Sequence, residues 1–245
     1  MKRALPAHGA NPELPAQDRK VQRTHGFVEE VFAIIRADIM SLRILPDARI
    51  SIDQLARELG VSQTPIREAL SMLEAIGLVT RRHHAGYWSA PQLTRQQIDD
   101  LFELRLLLEP YAAGAAAMRI SDAELALLIS HVEAMDAAKN VLPYDQYADR
   151  DAELHDMIAA GSGNPLIRQT LDRLHSHLHI FRLRSSSHVT YEANLEHSAV
   201  IEAMSRRDSE GAQTAMRAHI QLSYDRLVKP EPDASQDGQT EPRNG

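Results

Sequence analysis

The sequence predicts a mainly α-helical protein built from two different domains, and three observations support this. Residues 51 to 79 contain two short amphipathic helical stretches around a Gly-Val-Ser corner. Directly after them, short strand-like stretches flank a turn. From about residue 95 to residue 228, six helical segments follow one another without a strand pattern. We therefore expect a small helical head with a two-stranded hairpin, followed by an all-α six-helix bundle.

The paired helical stretches carry the start and stop signals of a helix-turn-helix. Ser51 with Gln54 three residues later forms a capping box, and Gly60 can adopt the left-handed conformation that ends a helix. The second helix starts near residues 62 to 64, with Pro65 in its first turn, where a missing amide hydrogen costs little. A helix-turn-helix places its second helix in the major groove, so DNA is the first partner predicted.

The outward face of the second helix supplies a candidate DNA-reading surface. Its inner face is apolar at helical spacing, through Ile66, Ala69, Leu70, Leu73 and Ile76. On the opposite face, four polar residues fall close together at helical spacing: Gln63, Thr64, Arg67 and Ser71. These four residues are called the recognition stripe below. Each residue type can contact a base edge or a phosphate oxygen.

A small two-stranded wing is predicted after the helix-turn-helix. Leu-Val-Thr-Arg-Arg and Tyr-Trp-Ser form the strands, and His-His-Ala-Gly forms the turn between them. The tip holds Arg81, Arg82, His83 and His84, whose charge would be favourable against the DNA backbone or the minor groove. For this turn taken alone, an ordinary solvated hairpin is the alternative.

The stretch from Leu55 to Val79, with Thr-Pro-Ile-Arg-Glu-Ala-Leu at residues 64 to 70, resembles the DNA-binding domain of the GntR family of bacterial transcription regulators. The resemblance implies that Thr64, Arg67 and the wing glycine Gly86 contact or approach the DNA. It covers much of the N-terminal third of the chain and predicts a winged helix-turn-helix there.

One position departs from the family pattern. The residue after the corner serine is commonly arginine in that family, and here it is Gln63. Glutamine prefers adenine where arginine prefers guanine, so the resemblance leaves the operator sequence open.

Composition and charge bound the class of protein. With 245 residues, no cysteine and no run of 18 apolar residues, we expect a soluble cytoplasmic protein without disulfides or a membrane span. The whole chain carries a net charge of −7. The acidic excess lies in residues 91 to 245, which carry −9, whereas residues 26 to 90 carry −1. DNA affinity must therefore come from local clusters in the recognition stripe and the wing, with Arg49 and the basic N-terminal arm as further candidates.

Composition also divides the chain into five segments. Residues 1 to 24 form a basic arm and residues 229 to 245 a polar tail, and both are predicted to be disordered. Residues 25 to 90 form the winged helix-turn-helix domain, residues 91 to 95 a linker, and residues 96 to 228 the helical domain. Capping and breaking signals place the six helices of that domain roughly at 95–118, 121–138, 144–160, 164–185, 190–206 and 208–228.

Polar side chains on three of these helices are predicted to face the core. Asp151 and His155 lie four residues apart on the third helix, His197 lies on the fifth and His219 on the sixth. Any one of these histidines alone is better explained as a hydrogen-bonded core residue. Together, three imidazoles and a carboxylate match a divalent metal site, with Zn²⁺ as the first choice and Ni²⁺ or Mn²⁺ as alternatives.

These residues carry a second resemblance. Asp-x3-His followed by Gly-Ser-Gly-Asn, then Glu196-His197 and later His219, is similar to the FCD ligand-binding domain of the FadR subfamily of GntR regulators. The resemblance implies that Asp151, His155, His197 and His219 are the metal ligands. The fourth helix carries a competing histidine set without an acidic partner in register, namely His175, His177 and His179. These three are expected to line a cavity wall or the surface.

Three further residues are candidates for binding a small effector: Arg105, Arg182 and Asn194. Arg105 shares a helical face with apolar residues, so its guanidinium is predicted to face the interior. Two explanations remain open there, an ion pair with Glu109 one turn on and a fork that grips a carboxylate beside the metal. The family resemblance implies organic acids, sugar acids or related metabolites as effectors.

These observations predict a transcription regulator that acts as a repressor, and they do not predict an enzyme. A small carboxylate bound at the metal is expected to control its affinity for the operator. The resemblance and the spacing of DNA half-sites imply a homodimer on a palindromic double-stranded operator. One alternative is a metal-responsive regulator in which the metal itself is the signal. The other is a metalloenzyme with a metal-activated water, which lacks an evident general base and leaves the DNA-binding domain unexplained.

Overall fold

The computed structural model describes residues 24–138, 144–174 and 188–228, and it confirms the mainly α-helical fold. The predicted arm before residue 24 and the predicted tail from residue 229 lie outside the described residues. The elements in chain order are α1 (Thr24–Met40), β1 (Arg49–Ile50), α2 (Ile52–Leu59), α3 (Gln63–Ala75), β2 (Val79–Arg82), β3 (Gly86–Ser89), α4 (Arg95–Arg119), α5 (Asp122–Ala138), α6 (Tyr144–Gly161), α7 (Pro165–Leu174), α8 (His188–Ser205) and α9 (Ser209–Val228).

Helices α1 and α3 pack against each other and form the core of the helix-turn-helix. The side chains of Ile35 and Ile39 from α1 and of Ile66, Leu70 and Leu73 from α3 are completely buried there. Their spacing of three to four residues gives each helix one apolar face, as the sequence predicted. Because this core fixes the orientation of α3, the opposite face of α3 is held outward.

The predicted helix ends are present. The backbone amide of Gln54 donates to Ser51 Oγ at 3.3 Å, but the Gln54 side chain donates to Glu58, so only half of the predicted capping box is formed. Gly60 ends α2 with a positive φ of 65°. A reciprocal capping box between Thr94 and Gln97 starts α4. The side-chain oxygen of Asn164 accepts the amides of the first turn of α7. The fourth predicted bundle helix, residues 164 to 185, is described only as far as the end of α7.

The wing has one more strand than the sequence predicted. Strands β2 and β3 form the expected antiparallel pair, and β1 adds to the other side of β3 to give the order β1-β3-β2. The chain before β1 is held to the end of β3, because the Ser89 amide donates to Ala48 O at 2.9 Å and Ser89 Oγ accepts the Ala48 amide at 3.1 Å. Two residues of β1 are too few to show a period-two pattern, which explains why the sequence did not reveal this strand.

Helix α4 is the central helix of the C-terminal bundle and packs against α9, α6 and α8. It contains a buried proline, Pro110, which lacks the amide hydrogen that would bond to Leu106 O. The guanidinium of Arg217 on α9 reaches that carbonyl at 3.5 Å. The helix therefore continues through the proline for two further turns, up to Arg119.

One ion pair joins the N-terminal domain to the bundle, and a separate set of hydrogen bonds stabilises the start of the bundle. Arg36 on α1 forms a bidentate ion pair with Asp149 on α6. At the start of α4, Arg95 and Asp99 both bond to the hydroxyl of Tyr224 in the last turns of α9.

Among the described residues, no helix has the length and apolar character that crossing a membrane requires.

Candidate DNA-binding and metal-binding sites

The recognition stripe is exposed along its whole length. The side chains of Gln63, Thr64, Arg67 and Ser71 all lie on the solvent side of α3. Its residues lie beside a groove of about 640 Å³, which is lined by Arg67 and Glu74 of α3 and by the tip of the wing. A solvent-exposed helix beside a basic hairpin is the arrangement with which winged helices bind DNA.

A chain of hydrogen bonds orders the first turn of the recognition stripe. Gln63 Nε2 donates to Asp53 Oδ1 on α2 at 2.5 Å, and Arg67 Nη2 donates to Gln63 Oε1 at 3.1 Å. The amide oxygen of Gln63 is thus occupied by Arg67, so in this conformation Gln63 supports the arginine and does not present a free bidentate amide. The sequence predicts Gln63 as one of four residues able to contact a base edge or a phosphate oxygen.

The wing places its two arginines on different faces of the sheet. Arg81 pairs in register with Tyr87, and its guanidinium lies 5.8 Å from the centre of that ring. This face of the sheet is turned toward α3, because Ser71 Oγ lies 3.4 Å from the Tyr87 hydroxyl. Arg82 stacks over Trp88 at 4.1 Å, on the opposite face. Arg49 pairs with Trp88 across β1 and β3 and therefore shares the face of Arg82. Of the three arginines in the sheet, Arg81 projects from the face that carries Tyr87, and Arg82 also reaches the groove between α3 and the wing tip.

The wing turn requires a left-handed backbone at two positions. His84 has a φ of 59° and Gly86 a φ of 88°. Gly86 suits its position because residues other than glycine are strained at such an angle. The imidazoles of His83 and His84 are exposed at the tip, as the sequence predicted.

Three predicted metal ligands meet inside the bundle. His155 of α6, His197 of α8 and His219 of α9 are all buried, and each offers a ligand nitrogen within 4.8 Å of those of the other two. Their ring centroids are 4.5 to 5.5 Å apart. The three histidines lie on three different helices and at least 22 residues apart in sequence, so the packing of the bundle creates the cluster.

The fourth predicted ligand, Asp151, lies beside His197 and is not one of the three residues whose ligand atoms all lie within 4.8 Å of one another. Its side chain is buried, and Oδ1 lies 3.2 Å from His197 Nε2. Two ligand atoms that each bond one metal ion at about 2.1 Å are expected roughly 3 to 3.4 Å apart, so this separation fits shared coordination. Within the residues that the structure describes, neither ring nitrogen of His197 makes a hydrogen bond. A buried imidazole of this kind suits a metal ligand.

A carboxylate holds the outer nitrogen of His155. His155 Nδ1 lies 2.5 Å from Glu109 Oε2, and Arg105 Nε donates to Glu109 Oε1 at 2.6 Å. Burial acts to raise the pKa of Glu109, but the charge of Arg105 and the hydrogen bonds from His155 and Arg105 outweigh it and hold that pKa well below its ordinary value. The carboxylate is therefore ionised and can only accept, so the imidazole donates its Nδ1–H.

An equivalent arrangement surrounds His219. Its Nδ1 lies 2.9 Å from Glu196 Oε2, and Arg226 donates to both oxygens of the same carboxylate at 2.5 and 2.9 Å. Burial acts to raise the pKa of Glu196, and the hydrogen bonds from Arg226 and His219 bring it below its ordinary value. Burial and the neighbouring His197 lower the pKa of His219 to about 3, so its imidazole is neutral near pH 7. Neutral imidazole is the form that binds metal.

The predicted effector-binding residues have different outcomes. Arg105 is buried and forms the ion pair with Glu109 that the sequence analysis gave as one of its two explanations. Asn194 is buried one turn before His197 and accepts the Tyr147 hydroxyl at 2.7 Å; within the described ranges its amide nitrogen has no hydrogen-bond partner. Arg182 lies outside the described residues, as does the competing histidine set at residues 175 to 179.

The sequence did not predict that Glu196 contacts His219 or that Arg226 bonds to Glu196. A signal was present, because Arg226 follows His219 by seven residues, which places both on one face of a helix after two turns. Glu196 directly precedes His197, and its contact with His219 depends on how α8 packs against α9. That packing could not be derived from spacing within either helix.

Comparison with known families finds two matches in the chain. Residues 27–87 match the bacterial regulatory proteins of the gntR family, and residues 100–222 match the FCD domain. The first match contains the recognition stripe and the wing, and the second contains the histidine cluster with both glutamates.

Similar proteins of known role are transcription regulators. The Nta operon transcriptional regulator of Aminobacter aminovorans is 28% identical over 192 residues, which cover 78% of this chain and 89% of that protein. The HTH-type transcriptional repressor GlaR of Escherichia coli K12 is 28% identical over 198 residues, covering 76% of this chain and 89% of the repressor. The sequence is thus similar to these regulators across both of its domains.

Solved structures show the same fold. E. coli McbR/YncC superposes with a TM-score of 0.64 at 21% identity, covering 82% of this chain and 96% of that one. A GntR transcriptional regulator from Rhodococcus sp. RHA1 also gives a TM-score of 0.64, at 18% identity, covering 83% of this chain and 98% of that one. At these identities the likeness supports the two-domain architecture alone.

Proposed function

The chain belongs to the gntR family of bacterial regulatory proteins and carries an FCD domain, so it is a DNA-binding transcription regulator; from this premise we propose that a small carboxylate, bound at a divalent metal in the helical domain, controls its affinity for an operator. The proposal includes Zn²⁺ as the metal, with Ni²⁺ or Mn²⁺ as alternatives. It also places the chain in the FadR subfamily.

The buried cluster of three histidines and Asp151 is the observation that carries this proposal. Three imidazoles from α6, α8 and α9 meet in the buried interior, where unpaired polar groups would be costly, and the Asp151 carboxylate lies beside one of them. Three imidazoles and a neighbouring carboxylate form a donor set that Zn²⁺, Ni²⁺ and Mn²⁺ all accept. A bound ion would supply a positive centre with open positions for the oxygens of a carboxylate.

The surroundings of the cluster favour an anionic effector. Asn194 lies one turn from His197 and keeps a buried amide nitrogen that is not used within the described residues, which can donate to a carboxylate oxygen. Arg105 is committed to Glu109 and does not serve the effector directly in this proposal. Its charge instead acts through the Glu109 carboxylate on His155.

On the DNA side, we propose a homodimeric repressor that binds a palindromic operator. GlaR is named a transcriptional repressor, which supports repression in this chain as well. A single exposed α3 reads one half-site, and a two-fold pair reads two half-sites about one DNA turn apart. Similar proteins named as regulators favour this role over the metalloenzyme alternative.

Operator binding measured with and without metal and carboxylate tests the proposal. The operator is first selected from a random DNA pool, and its affinity is followed by fluorescence anisotropy with chelator, with Zn²⁺ alone, and with Zn²⁺ plus a panel of small mono-, di- and tricarboxylates. We expect one carboxylate class to change the affinity by about tenfold or more, only when metal is present. A change of that size with Zn²⁺ alone would favour the metal-responsive alternative, and no change under any condition would refute the sensing role.

A further inference from the structure

We propose that Glu109 and Glu196 are positioning residues for the metal site, each fixing one histidine as the tautomer that directs Nε2 toward the ion. This inference deepens the proposed function and rests on its metal site. The two glutamates come from different helices, α4 and α8, and hold histidines on two others, α6 and α9. They are not themselves among the clustered ligand residues.

The two contacts have the same geometry. In each, a carboxylate oxygen faces Nδ1 of the ring, at 2.5 Å for His155 and 2.9 Å for His219. Each carboxylate is paired with an arginine and faces the ring as an acceptor, so Nδ1 carries the hydrogen and Nε2 keeps its lone pair. Hydrogen bonding of the non-ligating nitrogen is the usual way in which proteins set the tautomer and orientation of a metal-binding histidine.

Each glutamate is itself held by an arginine. Arg105 bonds to Glu109 with both side chains nearly fully buried, and Arg226 bonds to both oxygens of Glu196. The arginines give each buried carboxylate a positive partner, and they fix the planes of the carboxyl groups. Two hydrogen-bonded chains, called relays below, therefore run from an arginine through a glutamate to a histidine. One consists of Arg105, Glu109 and His155, and the other of Arg226, Glu196 and His219.

His197 provides an internal contrast. Within the described residues, no carboxylate holds its Nδ1, and its Nε2 faces the predicted ligand Asp151. The relays thus orient two of the three imidazoles before metal binds, and the third can adjust its ring as the ion enters. Removal of a relay should weaken metal binding without removing any ligand.

Glu196→Gln and Glu109→Gln test the inference, with Glu202→Gln, which breaks an exposed pair with Arg206, as the matched control. Zinc affinity is measured by competition with a chromophoric chelator on the full-length protein, after circular dichroism has shown equal helicity. We expect each relay variant to bind Zn²⁺ roughly 10- to 100-fold more weakly, and the control to match the wild type. Affinities of all three variants within twofold of the wild type would overturn the inference.

A second measurement needs no variant and separates this inference from the proposed function. Long-range ¹H–¹⁵N correlation spectra of the zinc-loaded wild type should show His155 and His219 with protonated Nδ1 and metal-bound Nε2. Binding of zinc through Nδ1 of either ring would overturn the relays while leaving the metal site intact. A wild type that binds no stoichiometric metal would overturn the proposed function, and the relays with it.

Discussion

The DNA-facing surface and the buried histidine cluster hold their polar groups in opposite ways. On the recognition stripe, Gln63 and Arg67 are exposed and joined by single hydrogen bonds. In the bundle, His155 and His219 are buried, and each is held by a carboxylate that an arginine holds in turn. An exposed pair contributes about 0 to 1 kcal/mol to stability, whereas removing one partner of a buried pair costs about 3 to 5 kcal/mol.

That contrast has a functional consequence. The DNA face can exchange its internal hydrogen bonds for contacts with bases and phosphates at little cost to the fold. The buried site cannot lose a charged member without leaving another uncompensated. Substitutions at the first region should therefore affect binding alone, and substitutions at the second should affect both the ligand and the bundle.

The largest expected effect comes from removing two histidines of the cluster together. His155→Ala with His219→Ala should reduce retained metal from about one ion per chain to below about one tenth, because a carboxylate and one imidazole are too few ligands for tight binding. Elemental analysis after dialysis measures the retained metal. The control is His83→Ala, which removes an exposed imidazole at the wing tip. Stoichiometric metal in the double variant would transfer the site to the histidines at 175, 177 and 179.

The next effect concerns DNA binding. Arg67→Ala should weaken operator binding on the order of 10- to 100-fold with unchanged thermal stability, because an exposed guanidinium can form bidentate hydrogen bonds to a base edge. Arg206→Ala is the matched control, since it removes an exposed arginine of the helical domain. Anisotropy titrations at several salt concentrations measure both. Unchanged binding would place the recognition surface elsewhere.

The sequence predicted the exposed surface more fully than the buried site. Helical spacing alone identified the four residues of the stripe, because exposure depends on one helix and its apolar face. It also identified the histidines, and the structure brings three of them together. It did not reveal the contact of Glu196 with His219, since that contact depends on the packing of α8 against α9. Nor did it reveal β1, whose two residues pair only after the wing has formed.

A smaller effect would test whether the DNA face is ordered before it binds. Asp53→Ala removes the carboxylate that holds Gln63, which in turn supports Arg67. We expect the preference for the operator over random DNA to fall by roughly two- to fivefold, as suits the loss of one exposed hydrogen bond. Non-specific affinity should hold or rise, because a negative charge leaves the DNA face. Equal losses for operator and random DNA would show that Asp53 does not act through Arg67.

The smallest effect is expected at the contact between α1 of the N-terminal domain and α6 of the helical domain. Arg36 on α1 pairs with Asp149, which precedes Asp151 by two residues on the helix that also carries His155. The Arg36 side chain is 13% exposed and that of Asp149 51%, so solvent screens the pair in part and it contributes on the order of 1 kcal/mol, or roughly fivefold in coupling. Arg36→Ala should reduce the ratio of operator affinities measured with and without bound metal and carboxylate. Arg43→Ala, which breaks an exposed pair with Asp38, should leave that ratio unchanged. Equal ratios in both variants would mean that the signal reaches α3 through the linker and not through this contact.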